Sequence, residues 1–298
     1  MRRKDFYLIT ASSLCILTPL TASHAKGRLE LNFDEGQTID EGATMIRDPK
    51  RGRTFPATID KGTRASNRPQ IVKTGCNTPP ACLRVSLDPS RMGAAKNKIM
   101  YSFWSHYRPL PGGETNRIRI GDQTPVTVSF AMKLDRQYDT PAHQMIHFQM
   151  FQAEKSGVNH AIEGKLGGPV LSLRIVPQSR RKNKSPDVEE FVIAVRSPEA
   201  LGLKAFDNRD RSVLYRGVIR KGEWNRFSFR LSSGPKAVGS VAFDLNGKRM
   251  FDRRLTWGFD PNKYPVNAAL GFEVGSYRSA DLKGRQTVYF DDISVDRS

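Results

Sequence analysis

From about position 30 onward, apolar and polar residues alternate with a period of two along most of the chain. Val126-Thr-Val-Ser-Phe-Ala-Met alternates, and so do Met145 to Gln152, Val170 to Val176, Phe191 to Val195, Trp224 to Leu231, Val241 to Leu245, Ala268 to Val274 and Val288 to Val295. This period sends successive side chains to opposite faces of a strand, so each segment is predicted to be a strand with one buried face. Asn246-Gly247, between Val241-Ala-Phe-Asp-Leu and Lys-Arg-Met-Phe, predicts a tight hairpin, because both central residues of such a turn need positive φ. Pro111-Gly112-Gly113, Gly167-Gly168-Pro169 and Ser233-Gly234-Pro235 mark further turns.

About a dozen strands without strand–helix–strand alternation predict an all-β fold, a single-domain β-sandwich of the jelly-roll type. No segment carries an apolar stripe of three helical turns, and no internal repeat is visible. Residues 36–75 are basic, contain proline and are weakly patterned, and they are expected to be long surface loops. Arg180 to Pro186 reads as an exposed basic loop. With 38% hydrophobic residues in 298, the chain has enough apolar material for a core, which excludes wholesale disorder.

The N-terminus bears on the compartment. Met1-Arg2-Arg3-Lys4 is followed by an apolar run from Phe6 to Leu20, and Ser23-His24-Ala25 offers small residues where a signal peptidase reads. Residues 1–25 are therefore expected to be a signal peptide and residues 26–298 the mature, exported domain, periplasmic or extracellular. After residue 25 no apolar run of about 18 residues appears, which excludes a multi-span helical membrane protein.

Charge narrows the partner. The chain has 48 Lys+Arg against 30 Asp+Glu, a formal net charge of +18. Removing residues 1–25 takes away Arg2, Arg3, Lys4 and Asp5, leaving 45 basic and 29 acidic side chains and a net of +16. Such a balance asks for an acidic partner, and export turns that expectation from nucleic acid toward an acidic polysaccharide. The mature chain keeps Cys76 and Cys82, separated by Asn-Thr-Pro-Pro-Ala. In an oxidising compartment this isolated pair is expected to close a small disulfide loop, since no further metal ligands lie nearby.

Three segments carry candidate chemistry. Tyr107-Arg108 precedes a glycine-rich turn and Asn116-Arg117-Ile118-Arg119-Ile120, where alternation puts Arg117 and Arg119 on one face. In His143 to Gln152, alternation puts His143, Met145, His147, Gln149 and Phe151 on one face. The third is Phe272-Glu-Val-Gly-Ser-Tyr277-Arg278, a polar loop, and Val288-Tyr-Phe-Asp-Asp-Ile-Ser-Val.

That ending, with Trp224-Asn-Arg-Phe-Ser-Phe and the Asp244-Leu-Asn-Gly-Lys hairpin, resembles the C-terminal strands of jelly-roll polysaccharide lyases. The heparin-lyase-I-like group is the nearest in pattern, and alginate and glucuronan lyases are more distant. The resemblance implies a concanavalin A-like sandwich that cleaves a uronate-containing polymer by β-elimination. A cation or amide neutralises the uronate carboxylate, a base takes the carbon-5 proton, and an acid protonates the leaving oxygen. It carries the acid/base tyrosine onto Tyr277 and the family's Gln-x-His strand onto Gln149-Met150-Phe151, so phenylalanine stands where histidine is expected. His147, two residues before Gln149, is the histidine expected to take that role, or Tyr277 acts as both base and acid. Arg117 and Arg119 are expected to hold the carboxylate, with Tyr107, Arg108 and Arg278 lining the same substrate groove. His160 is an alternative base in a polar loop.

No cofactor is required by this chemistry. A structural calcium is conceivable because Asp34 and Glu35 near the start and Asp291 near the end offer hard oxygen ligands, with solvation or arginine pairing as the plain alternative. The expected partner is an acidic, uronate-containing polysaccharide, bound by a monomer without nucleic acid or a membrane span. A different class of function uses the same surface: a non-catalytic glycan-binding jelly roll, which Phe151 favours. A glycoside hydrolase fits less well because the sequence has no Glu-x-Asp-x-x-Glu run to supply its carboxylate pair. Anionic lipid as the partner lacks an amphipathic helix to insert.

Overall fold

The structure, a computed structural model, describes residues 29–40, 45–60, 63–64, 67–104, 119–121, 125–155, 168–177, 185–196, 213–233, 238–278 and 283–297. The expected signal peptide at 1–25, Tyr107, Arg108, Arg117, His160 and most of the 180–186 loop lie outside the described residues. The first strands are β1 (Leu29–Leu31), β2 (Thr38–Ile39), β3 (Met45–Asp48), β4 (Arg53–Ile59), β5 (Gln70–Val72) and β6 (Cys82–Leu87). Next come β7 (Lys98–Trp104), β8 (Val126–Leu134), β9 (Met145–Glu154), β10 (Gly168–Val176), β11 (Val188–Val195) and β12 (Val213–Arg220). The last are β13 (Asn225–Ser233), β14 (Val238–Leu245), β15 (Lys248–Thr256), β16 (Val266–Tyr277) and β17 (Gln286–Arg297). A short 3-10 segment spans Pro49–Arg51.

The strands form two antiparallel sheets. One runs β15-β14-β13-β8-β17-β6-β5 with β1 beside β17, and the other runs β12-β11-β10-β9-β16-β7-β4-β3-β2. Inward residues of the two sheets meet in an aromatic core. Phe148 of β9 lies 4.8 Å from Phe229 of β13 and 5.3 Å from Phe130 of β8, measured between ring centroids. Such pairs contribute about 0.5–1.5 kcal/mol each beyond the area they bury. The molecule is thus a β-sandwich built on the period-two pattern.

One turn and one disulfide can be compared directly with expectation. Asn246 and Gly247 both have positive φ and join β14 to β15 as a tight hairpin. Cys76 and Cys82 form a disulfide with Cα atoms 5.4 Å apart. The expectation for residues 36–75 needs correcting: they hold β2, β3, β4 and β5 rather than only loops. Each of these strands is short and at or near a sheet edge, and Ile46 and Phe55 send single apolar side chains into the core. So few inward residues leave almost no periodic signal. No helix is long and apolar enough to cross a membrane among the described residues.

Candidate functional site

The nine-stranded sheet turns one face to the core and one outward. On β10, Leu171, Leu173 and Ile175 belong to the core, which leaves Ser172 and Arg174 on the outer face. On β16, Leu270, Phe272 and Val274 belong to the core, which leaves Glu273 and Tyr277 outward. Backbone register then sets up two rows. Ser102, Glu273, Gln149, Ser172 and Ala194 stand side by side across β7, β16, β9, β10 and β11. Lys98, Tyr277, Ile146, Arg174 and Val192 form the second row across the same strands.

The second row holds the exposed phenol. Tyr277 is 37% exposed, and the Lys98 ammonium lies 5.1 Å from its ring centroid. Arg174 stands two strands away, about 10 Å between backbones at ordinary strand spacing, and its charge and the Tyr277 phenol interact electrostatically. The guanidinium donates from Nε to Ser172 Oγ at 2.8 Å and from Nη1 to Gln144 Oε1 at 2.5 Å. Burial, then the neighbouring Arg196, push its pKa down, so the fold holds this positive charge at a cost. Arg174 was not among the candidates drawn from the sequence. Its signal was present, as the second polar residue of alternating Ser172-Leu-Arg174 in an otherwise apolar strand.

The first row contains Gln149, which donates from Nε2 to Glu273 Oε2, while Ser102 Oγ donates to Glu273 Oε1 at 2.8 Å. Gln149 is 3% exposed, and its Oε1 is buried without a hydrogen-bond partner. Phe151 lies on the same outer face, opposite Gly271 and Pro169 in register.

His147 is placed otherwise than expected. It does not share the face of Gln149. On β10, Leu173 pairs with Phe148 and the next residue, Arg174, pairs with Ile146, so His147 is an extra residue in a β-bulge. Both His147 and Phe148 therefore turn inward. His147 is fully buried, with its ring 6.5 Å from that of Phe290 on the opposite sheet. Its Nδ1 donates to the Gly275 carbonyl at 2.8 Å, which makes Nε2 the acceptor of the Tyr138 hydroxyl at 3.0 Å. Burial lowers its pKa to about 4, so it is neutral at pH 7. The imidazole braces the turn of β16 that precedes Tyr277 instead of facing a ligand.

Gly275 is what lets β16 pass close to β7 there. Its φ is +150°, and a Cβ at this position would sit 2.1 Å from the Ile99 carbonyl oxygen. Alternation beyond Tyr277 sends Arg278 inward, which corrects its expected place in a substrate groove. Arg278 is 2% exposed and donates to the carbonyls of Lys96 and Gly284, each at 2.8 Å, and to Gln286 Oε1. Arg119 is exposed and paired with Ala269, eight residues from Tyr277 on β16, or about 26 Å along the strand. It belongs to the far end of the same face.

Of the three acids expected around a calcium ion, Asp34 and Asp291 lie near one another and Glu35 is engaged by two cations. Glu35 pairs with Lys50 at 2.8 Å and with Arg51. Asp34 Oδ1 accepts the Ala81 N–H at 3.1 Å, and Asp291 Oδ2 accepts the N–H groups of Asn77 and Thr78 at 3.1 and 2.9 Å. Asp34 and Asp291 thus anchor the disulfide loop. Among the described residues no group of three or more His, Cys, Asp or Glu side chains converges as a metal would need.

Asp291 does carry a pH-dependent term. Desolvation by burial raises its pKa to about 7, against the pull of the Thr78 N–H and with added repulsion from Asp292 and Asp34. The folded carboxyl holds its proton more tightly than the unfolded one. The resulting stability is full below about pH 4 and is lost as pH rises through about 7. Thermal melting at fixed ionic strength should fall by several degrees across this window, and Asp291→Asn should flatten the fall. An unchanged slope in that variant would assign it to other groups.

The sandwich and its polar outer face define the class: a jelly-roll fold with a tyrosine, an arginine and an amide on one sheet. No protein-family profile and no curated protein matches the chain. Solved structures with this fold include the alginate lyase Aly36B, at a TM-score of 0.50 and 13% identity, covering 90% of this chain and 96% of that one. A mutant of Aly36B in complex with an alginate tetrasaccharide aligns at 0.51 and 13% identity over 91% and 97%. An endo-β-1,4-glucuronan lyase from Trichoderma reesei aligns at 0.50 and 13% identity over 81% and 90%. At this identity the likeness is one of fold. That likeness bears out the jelly-roll fold that the resemblance implied.

Proposed function

We propose that the protein is an exported polysaccharide lyase that cleaves a uronate-containing polymer by β-elimination. The observation that carries this is the outer-face row in which an exposed Tyr277 phenol stands beside Lys98 and two strands from the Arg174 guanidinium. Arg174 neutralises the uronate carboxylate, which makes the carbon-5 hydrogen acidic. Tyr277, reacting as the phenolate, takes that proton as the bond between carbon-4 and the glycosidic oxygen breaks and a carbon-4–carbon-5 double bond forms. The departing oxygen takes up a proton from the same phenol or from water. Lys98 adds positive charge at the same end. Fold likeness to lyases named for alginate and glucuronan supports the choice of substrate class. The expected signal at 1–25 and the Cys76–Cys82 disulfide support an oxidising compartment outside the cytoplasm.

A second function has a specific observation behind it. Phe151 stands where the resemblance expects histidine, and His147 is in the core, so no imidazole has been found on the outer face beside Gln149 among the described residues. A non-catalytic glycan-binding protein would keep the cationic face and need no base. Incubating the protein with glucuronan, alginate, hyaluronan and heparin, and following the ultraviolet absorbance of the unsaturated uronate, separates the two. Rising absorbance on at least one polymer is expected. Binding with no absorbance change on any of them would leave the binding protein.

A further inference from the structure

We propose that Glu273, held in place by Gln149 and Ser102, forms a subsite that accepts hydrogen bonds from the hydroxyls of a sugar ring and rejects a sulfated one; this rests on the lyase function proposed above. Three features point there. Glu273 is half-buried on the outer face, with one carboxylate oxygen fixed by Ser102 Oγ at 2.8 Å and the other by Gln149 Nε2. Among the described residues no lysine or arginine forms an ion pair with it, although the chain carries a net charge of +18. Giving its amide hydrogens to this carboxylate fixes the Gln149 amide so that Oε1, buried and without a partner, is an acceptor as well. The spot therefore presents acceptors and a negative charge.

A ring seated there has to bring hydrogens. Free hydroxyls do so. Sulfate brings only oxygens and more negative charge, placing like charges together and offering the Glu273 carboxylate no hydrogen. Glu273 and Tyr277 are four residues apart on one strand, about 13 Å. The ring over Glu273 is then a neighbour of the uronate that loses its proton. The cationic surface attracts any polyanion, and Glu273 decides which one fits.

The test uses short glucuronate oligosaccharides, sulfate-free and sulfated, with binding measured by calorimetry on wild type and Glu273→Gln. The amide replacement keeps the shape and removes the charge. Non-specific attraction to the basic surface is common to both proteins, so the ratio of the two affinities isolates the subsite. Wild type is expected to prefer the sulfate-free chain by about tenfold, and Glu273→Gln to lose most of that preference. The wild-type preference should also shrink as salt is raised, a measurement that needs no variant. A preference unchanged by the substitution, or insensitive to salt in wild type, overturns the subsite while leaving the lyase function standing if uronate polymers are cleaved. Failure to bind any glucuronate oligosaccharide overturns the subsite, and the lyase function falls with it only if none of the four polymers is cleaved.

Discussion

Replacing Tyr277 by phenylalanine should lower kcat on the cleaved polymer by about a thousandfold, within the range that a positioned acid or base supplies. Affinity should be nearly unchanged. The substitution removes one oxygen from a side chain that is 37% exposed on the outer face, and it retains the ring over which the Lys98 ammonium sits. Stability should stay within about 0.5 kcal/mol, as for other surface changes away from packed or buried polar groups. These three expectations together distinguish chemistry from structure. A packing tyrosine would lose stability, and a binding tyrosine would lose affinity. Only a proton-transfer group loses turnover alone. Absorbance assays at saturating polymer, calorimetric binding and thermal melting measure the three separately, and turnover that survives the substitution removes Tyr277 from the mechanism.

Much of the sandwich is legible in the chain because period-two alternation is a local property. Each of the eight alternating segments falls on a strand of the fold, Trp224 alone preceding its strand by one residue, and Asn246-Gly247 marks its hairpin because its backbone angles are a demand on those two residues alone. Tyr277 is legible for the same reason: alternation from Phe272 and Val274 inward puts it outward. The same count places Arg278 inward, so the pattern itself argues against the groove position taken for that residue from its cationic character. His147 is different. Counting by twos from Gln149 puts it outward, and only the bulge, in which Gly275 and Ser276 oppose a single residue of β9, turns it into the core. That bulge depends on how β16 passes β7 at Gly275, a contact between segments about 170 residues apart, and nothing in His143 to Gln152 announces it. The strands among residues 36–75 were hidden for a related reason. Their place is set by edge pairing, with one or two apolar side chains each.

The largest difference between sequence and structure is the arginine that shares the outer-face row of Tyr277, which places Arg174 at the centre of the second strong expectation. Arg174→Met should lower kcat/KM by about a hundredfold or more, the usual loss when a preorganised charge that stabilises the developing anion is removed. Its effect on stability should run the other way. Burial pushes the guanidinium pKa down, so the fold bears the cost of a desolvated charge, and an apolar side chain of similar length removes that cost. Gln144, only half-buried, can replace its lost donor with water. The methionine variant should therefore melt no lower than wild type while being nearly inactive, the pattern of a residue retained for function against stability. Arg174→Lys is the informative companion. It keeps a charge but loses the planar fork that reaches Ser172 and Gln144 together, so it should recover only part of the activity. A methionine variant that melts many degrees lower and still turns over would make Arg174 a structural tie, and the neutralising group for the uronate would have to come from another element of the same face.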